Sequence, residues 1–132
     1  MHALHALIRA CPLATLITLG SDGLSADHIP LHLSTGSHTF GLLSGHLPRS
    51  NPAWREHSGD VDAIAIFHGP NAYITPSWYA SKQASGEVVP TWNYTVVHAR
   101  GRIRVIDDAR WLKSHLEQLT AEQEAAFPQP WS

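Results

Sequence analysis

The sequence predicts a mainly β domain, a small barrel of about six short, mostly antiparallel strands with helices at its ends. Three observations carry this. Short runs rich in Leu, Ile, Val and Thr recur between turn signals such as Gly20-Ser21-Asp22-Gly23 and Gly36-Ser37. The links between the first three runs are too short for the crossover helices that parallel strands require. Helical periodicity is confined to the two ends and to one brief central segment.

Residues 2–10 place Leu4, Leu7 and Ile8 on one face of a short helix that begins without an N-cap, as if residues upstream were missing. Strands are expected at 13–19, 24–33 and 38–43. Gly45-His46-Leu47-Pro48-Arg49-Ser50-Asn51-Pro52 cannot form a regular strand. Asn51 as N-cap with Pro52 at the first helical position predicts a short helix through His57. A buried-type strand follows at 61–67 and a short one at 73–75. Pro76-Ser77 can open a single helical turn carrying Trp78, Tyr79 and Lys82. Residues 88–106 read as one long extended stretch, bent at Pro90 and Gly101. Asp107-Asp108 then caps a helix with Trp111, Leu112, Leu116 and Leu119 as its apolar face. Phe127 and Trp131 close the sequence with little after them to pack on, so this end too looks cut.

At 132 residues the chain is expected to form a single domain, 1–132. A formal net charge of −2 argues against a general nucleic-acid binder, since neutralising phosphates needs a basic excess. One cysteine, Cys11, excludes an intrachain disulfide and fits a reducing, cytoplasmic setting. No apolar run reaches the ~20 residues of a membrane span.

The functional signal lies between Phe67 and His98. This stretch holds two of the five Trp, all three Tyr, three Pro and Lys82. Aromatic planes set by Pro and Gly, with Ser, Thr, Asn and one cation between them, suit a flat conjugated ligand bearing a phosphate. If residues 91–94 are extended, Trp92 and Tyr94 share one face, for stacking, and Thr91 and Asn93 the other, for hydrogen bonds. A core or dimer-seam role for the Trp residues is the competing reading. Arg49, in a Pro-flanked turn with Ser50 and Asn51 before a helix, is one candidate phosphate cation; Lys82, with Ser77 and Ser81 nearby in sequence, is the other. Two solvated surface charges remain the alternative. The ten histidines raise a metal or haem site, but no tight Cys/His spacing supports a zinc centre. Nucleophilic catalysis finds no Gly-x-Ser-x-Gly elbow and no paired carboxylates in the aromatic segment. Arg100, Arg102 and Arg104 alternate as a basic stripe along a strand, a solvated outer face that discourages edge pairing, with a nucleic-acid or partner contact as the alternative.

Several blocks resemble the PaiB-type FMN-binding negative transcriptional regulator family. They are Pro12-Leu13-Ala14-Thr15-Leu16, Ala26-Asp27-His28-Ile29-Pro30-Leu31, Gly45 through Pro52, Phe67-His68-Gly69-Pro70, Ala72 through Tyr79, Ser81-Lys82, Val89 through Tyr94, and Val97-His98. The resemblance covers essentially the whole chain, although Pro48 stands where Ala is expected and Thr75 where Ser is usual. It implies a split β-barrel like that of pyridoxamine-phosphate oxidases and flavin reductases, a homodimer, and FMN at the subunit interface. Carried over by position, the phosphate falls to Arg49 and Lys82 with Ser50, Asn51 and Ser81. The isoalloxazine lies near His28, Ile29, Pro30 and Leu31, closed by Trp78, Tyr79, Thr91, Trp92 and Asn93. His46 and Ser77 complete the set. The resemblance also implies family segments beyond both ends of this chain. A regulator acting through flavin or a protein partner rather than by direct DNA readout is the function it favours. An FMN-dependent oxidoreductase and a split-barrel haem binder with a histidine ligand are the alternatives.

Overall fold

The computed structural model describes residues 2–36, 38–78, 89–129 and 131. Its elements are α1 (His2–Ala10), β1 (Leu13–Gly20), β2 (Gly23–Pro30), β3 (His32–Ser34), β4 (Leu42–Ser44), α2 (Ala53–Glu56), β5 (Ala63–Ile74), a 3₁₀ turn (Pro76–Trp78), β6 (Thr91–Gly101) and α3 (Ala109–Glu124). A four-stranded antiparallel sheet runs in the order β2-β1-β5-β6, and β3 and β4 pair as a separate two-stranded sheet. The fold is mainly β with flanking helices, and its two sheets form a split barrel that does not close.

Local chemistry explains the joins. Gly20 pairs with Gly23 across a two-residue turn, and Gly23 has φ +109°, a conformation open to glycine at no steric cost. The expected strand over 24–33 breaks at Leu31. Its N–H makes one last rung in the β1–β2 register, to the Pro12 carbonyl at 2.9 Å; Pro12 has no N–H to return, the ladder stops, and β3 pairs with β4 instead. The strand expected over 38–43 shrinks to Leu42–Ser44, because residues 38–40 bend and Gly41 takes φ +109°. The two strands expected at 61–67 and 73–75 are one, β5. Pro70, which has no N–H to donate, sits where the β5–β6 register shifts between His68 and Asn71, so the ladder absorbs it as a bulge. The long extended stretch is a strand only over Thr91–Gly101. Arg102 and Arg104 thus lie outside the ladder, and Arg102 instead bonds Asp62 (3.2 Å) and the Gly59 carbonyl (2.8 Å).

The core lies on one face of the large sheet, where Ala14, Ala65, Phe67 and Val97 meet Ile8 of α1 and Ile29, Leu31 and Leu33. Alternation along β5 buries Ala63, Ala65 and Phe67, while Ile64 and Ile66 turn to the opposite face and stay half-buried. That outer face is apolar as well, with Leu13, Leu24 and Tyr94 all exposed.

The last helix corrects an expected face. Asp108 caps α3 as anticipated, accepting the Arg110 N–H at 2.9 Å. However, the residues it buries are His115 and Leu119, and Leu112 and Leu116 remain exposed. The helix is turned so that the Trp111–His115–Leu119 row meets the barrel.

Candidate functional site

Residues from two distant parts of the sequence converge at the turn before α2. Gly45 lies so close to the β2–β3 junction that a Cβ there would stand 2.5 Å from Leu31 Cδ2 and 3.1 Å from Ile29 Cδ1. Of the four expected ring contacts on that junction, Ile29 and Leu31 point into the core, and His28 and Pro30 are exposed. His28 Nδ1 is 3.2 Å from Thr15 Oγ1. Asn51 is anchored at both ends. Its Nδ2 donates to Asp27 Oδ1 at 2.7 Å and its Oδ1 accepts the Ala53 N–H at 2.9 Å. The side chain therefore pins α2 to β2 and has little capacity left for a ligand. Replacing it with Ala should cost about 1–2 kcal/mol, as the loss of a helix cap plus one further hydrogen bond. Urea denaturation would check this, and no change in midpoint would contradict the anchoring role.

Arg49 and Ser50 are exposed beside this anchor. Arg49 meets Asp107 side by side, Nη2 donating to Oδ1 at 2.8 Å and Nη1 to Oδ2 at 3.3 Å. Its guanidinium lies 5.7 Å from the Trp54 ring, and Trp54 Nε1 donates to the Arg49 carbonyl at 2.9 Å. Hydrogen bonding and charge from Asp107 raise the Arg49 pKa, and the same two effects from Arg49 lower that of Asp107.

Next to it lies a cluster that the sequence did not reveal. His46 Nδ1 and His115 Nε2 are both buried with no hydrogen-bond partner among the described residues. The rings meet edge-on with centroids 5.4 Å apart, and Trp111 stacks on His115 at 5.0 Å. His32 Nδ1, nearby, contacts Glu122 Oε1 at 2.6 Å. The signal for His115 was its place in the i, i+4 row with Trp111 and Leu119. Burial lowers the His115 pKa, helped by His46 and His32 and opposed by Glu122. The unfolded chain, with His115 near its ordinary value of about 6.5, binds the proton more readily. Stability must fall as pH drops through that value. Melting temperatures between pH 7.5 and 5.5 should fall further in the wild type than in His115→Phe, which keeps the stack on Trp111. An equal fall would show that His115 does not contribute. A cavity of about 1010 Å³ extends from this cluster across the barrel interior, with Ile8, Leu33, His46, Arg49, Asp107 and Trp111 in its wall.

The second group stands on the β5–β6 hairpin. Tyr73 and Trp92 are cross-strand neighbours with rings 5.6 Å apart, edge to face. Trp92 is 57% and Tyr94 71% exposed, and Thr91 and Asn93 are exposed too. Trp92 and Tyr94 share a groove of about 570 Å³ with Ile66, His68 and His98, as their expected common face requires. Ser77 Oγ and Thr75 Oγ1 are 3.0 Å apart at the start of the 3₁₀ turn that includes Trp78. Tyr79, Ser81 and Lys82 lie outside the described residues.

The structure does not bring the two groups together. Asn51 is tied to Asp27, which pairs with Leu16, Leu16 with Ala65 and Ala65 with Ala99. Ala99 lies seven positions along β6 from Trp92, roughly 20 Å. Among the described residues, the cation of the turn and the aromatics of the hairpin thus lie well apart in the fold.

The family described as "Putative FMN-binding domain" matches residues 1–132. An uncharacterized protein of Emericella nidulans is 31% identical over 163 aligned residues, covering 97% of this chain and 65% of that protein. The protease synthase and sporulation protein PAI 2 of Bacillus subtilis is 36% identical over 93 residues, 70% of this chain and 42% of its own length. An uncharacterized protein of Saccharomyces cerevisiae is 32% identical over 111 residues, 81% of this chain and 64% of its own length. The chain thus spans less than two thirds of each of these relatives. It belongs to the PaiB-type FMN-binding domain family, with FMN as its cofactor.

Proposed function

We propose that the chain works as a homodimeric FMN-binding regulatory domain, with each flavin held between the turn of one copy and the β5–β6 hairpin of the other. The observation that carries this is the separation of the two groups. Arg49 with Ser50 suits a phosphate, and Trp92 with Thr91 and Asn93 suits a heteroaromatic ring, yet about 20 Å of strand parts them in one chain. A second copy can bring one hairpin to the other turn. The apolar outer face of the large sheet, with Leu13, Leu24 and Tyr94 exposed, offers the area for such an association.

The residues fit FMN as two half-sites. The Arg49 guanidinium, now paired with Asp107, matches a phosphate in a bidentate pair, and Lys82, Ser81 and Tyr79 are proposed to complete the closure. Thr91 and Asn93 present donors and acceptors on the strand face opposite Trp92. His28 and Pro30 line the junction below, while Ile29 and Leu31 support it from the core. When bound, FMN supplies electron-transfer chemistry; these residues orient it and shield it from water.

Regulation is proposed to run through the flavin or a protein partner. Net charge is −2, and among the described residues every two consecutive helices have a strand between them, leaving no compact helix-turn-helix. The relative named as a protease synthase and sporulation protein is consistent with a regulatory role.

Size-exclusion mass measured across an FMN titration tests the reading. One FMN per chain in a dimer, with binding lost in a Trp92→Ala, Asn93→Ala double variant, is the expected result. Saturable binding by a monomer would overturn the shared site, and salt-sensitive, sequence-specific binding of the pure protein to a DNA duplex would overturn the indirect mode of regulation.

A further inference from the structure

We propose that Asp107 is an internal competitor for the flavin phosphate, and so the residue that sets how strongly this chain prefers FMN to unphosphorylated riboflavin. The inference rests on the assignment of Arg49 to the phosphate. Two parallel N–H···O bonds join Arg49 to Asp107, at 2.8 and 3.3 Å. A carboxylate in this arrangement occupies the guanidinium edge that a phosphate monoester takes in bidentate recognition. Both ligands cannot hold that edge at once. The competitor is also well placed to persist. Asp107 directly precedes Asp108, whose side chain caps α3 through the Arg110 N–H. The helix is in turn fixed by buried His115 and Leu119 and by the His32–Glu122 contact. The Asp107 carboxylate is therefore delivered to Arg49 by an element whose position is set elsewhere.

The rest of the turn makes the competition matter. Asn51, the neighbouring amide, is already bonded to Asp27 and Ala53, which leaves Arg49 and Ser50 as the polar side chains of the turn available to an anion. A phosphate taking the Nη1–Nη2 edge must displace Asp107, and one taking the Nε edge must sit beside its negative charge. Riboflavin has no phosphate and makes no such demand.

Flavin fluorescence titrations of the full chain, with FMN and with riboflavin, test this in the wild type, Asp107→Asn, Asp107→Ala and Arg49→Ala. Both Asp107 variants should bind FMN about fivefold tighter, the scale of one exposed ion pair released. Their riboflavin affinity should stay within about twofold of the wild type, because the displaced contact involves only the phosphate. Unchanged or weaker FMN binding in both variants, or an equal gain for riboflavin, would overturn the role of Asp107 while leaving the flavin site standing. FMN binding as tight in Arg49→Ala as in the wild type would remove the phosphate assignment and the competition with it. No FMN binding by any well-folded form, wild type included, would sink the flavin reading itself.

Discussion

Arg49→Ala should weaken FMN binding by about 100-fold, because it removes a bidentate, charge-assisted contact to a phosphate dianion. The variant also leaves Asp107 without its partner, so a carboxylate then faces the incoming phosphate. Repulsion adds to the lost attraction. Riboflavin should bind the variant nearly as well as it binds the wild type, which separates loss of a phosphate contact from a damaged ring site. The fold should not suffer, since the Arg49 side chain is 72% exposed and its ion pair with Asp107 lies in solvent. Isothermal titration with both flavins, beside thermal melts of the two proteins, checks all three expectations. A loss shared equally by FMN and riboflavin would place Arg49 at the ring or in the scaffold instead.

The features legible in the sequence were those settled by a residue and its near neighbours. Gly20 through Gly23 forms the turn it spells, Asp108 caps its helix, and Asn51 with Pro52 opens α2. The family blocks gave the fold class and the cofactor together. What stayed hidden depended on partners far along the chain. Strands were expected only at 61–67 and 73–75, yet one strand runs through Pro70, because β5 takes it up as a bulge against an unbroken β6. Leu31 reads as mid-strand, yet its partner in register is Pro12, which has no N–H to extend the ladder, and the chain changes sheets. Leu112 and Leu116 read as the buried face of the last helix, but the barrel presents His46 and His32 on that side, and His115 packs against them. In the site, Arg49 was visible as a cation in an odd turn. Asp107, 58 residues away, was visible only as a helix cap. Asn51 was read both as cap and as ligand; Pro52 takes the N-cap position instead, and Asn51, one residue earlier, bonds the Ala53 N–H through Oδ1 and Asp27 through Nδ2.

Phe67→Ala should remove about 4 kcal/mol of stability, the usual cost of emptying a fully buried aromatic site. Phe67 is 0% exposed, and its neighbours across the sheet are Ala14 on one side and Val97 on the other. Ala14 is too small to follow the receding ring, and Val97 is stiff at χ1, so the void persists. Against the 5–15 kcal/mol available to a domain, this loss leaves little margin. Denaturant titration should show the midpoint falling with an unchanged slope, whereas a fall of less than about 1 kcal/mol would mean that the core is not organised around Phe67. The same variant ties the core to function. Neither Arg49 nor Trp92 touches Phe67, so the folded fraction should keep its flavin affinity. FMN at 100 times its dissociation constant should then restore about 2.7 kcal/mol by binding only the folded state. Most of the lost stability would return on adding FMN. A Phe67→Ala protein that FMN fails to stabilise, in conditions where the wild type is stabilised, would show instead that the core ring positions the β5–β6 hairpin as well as filling space.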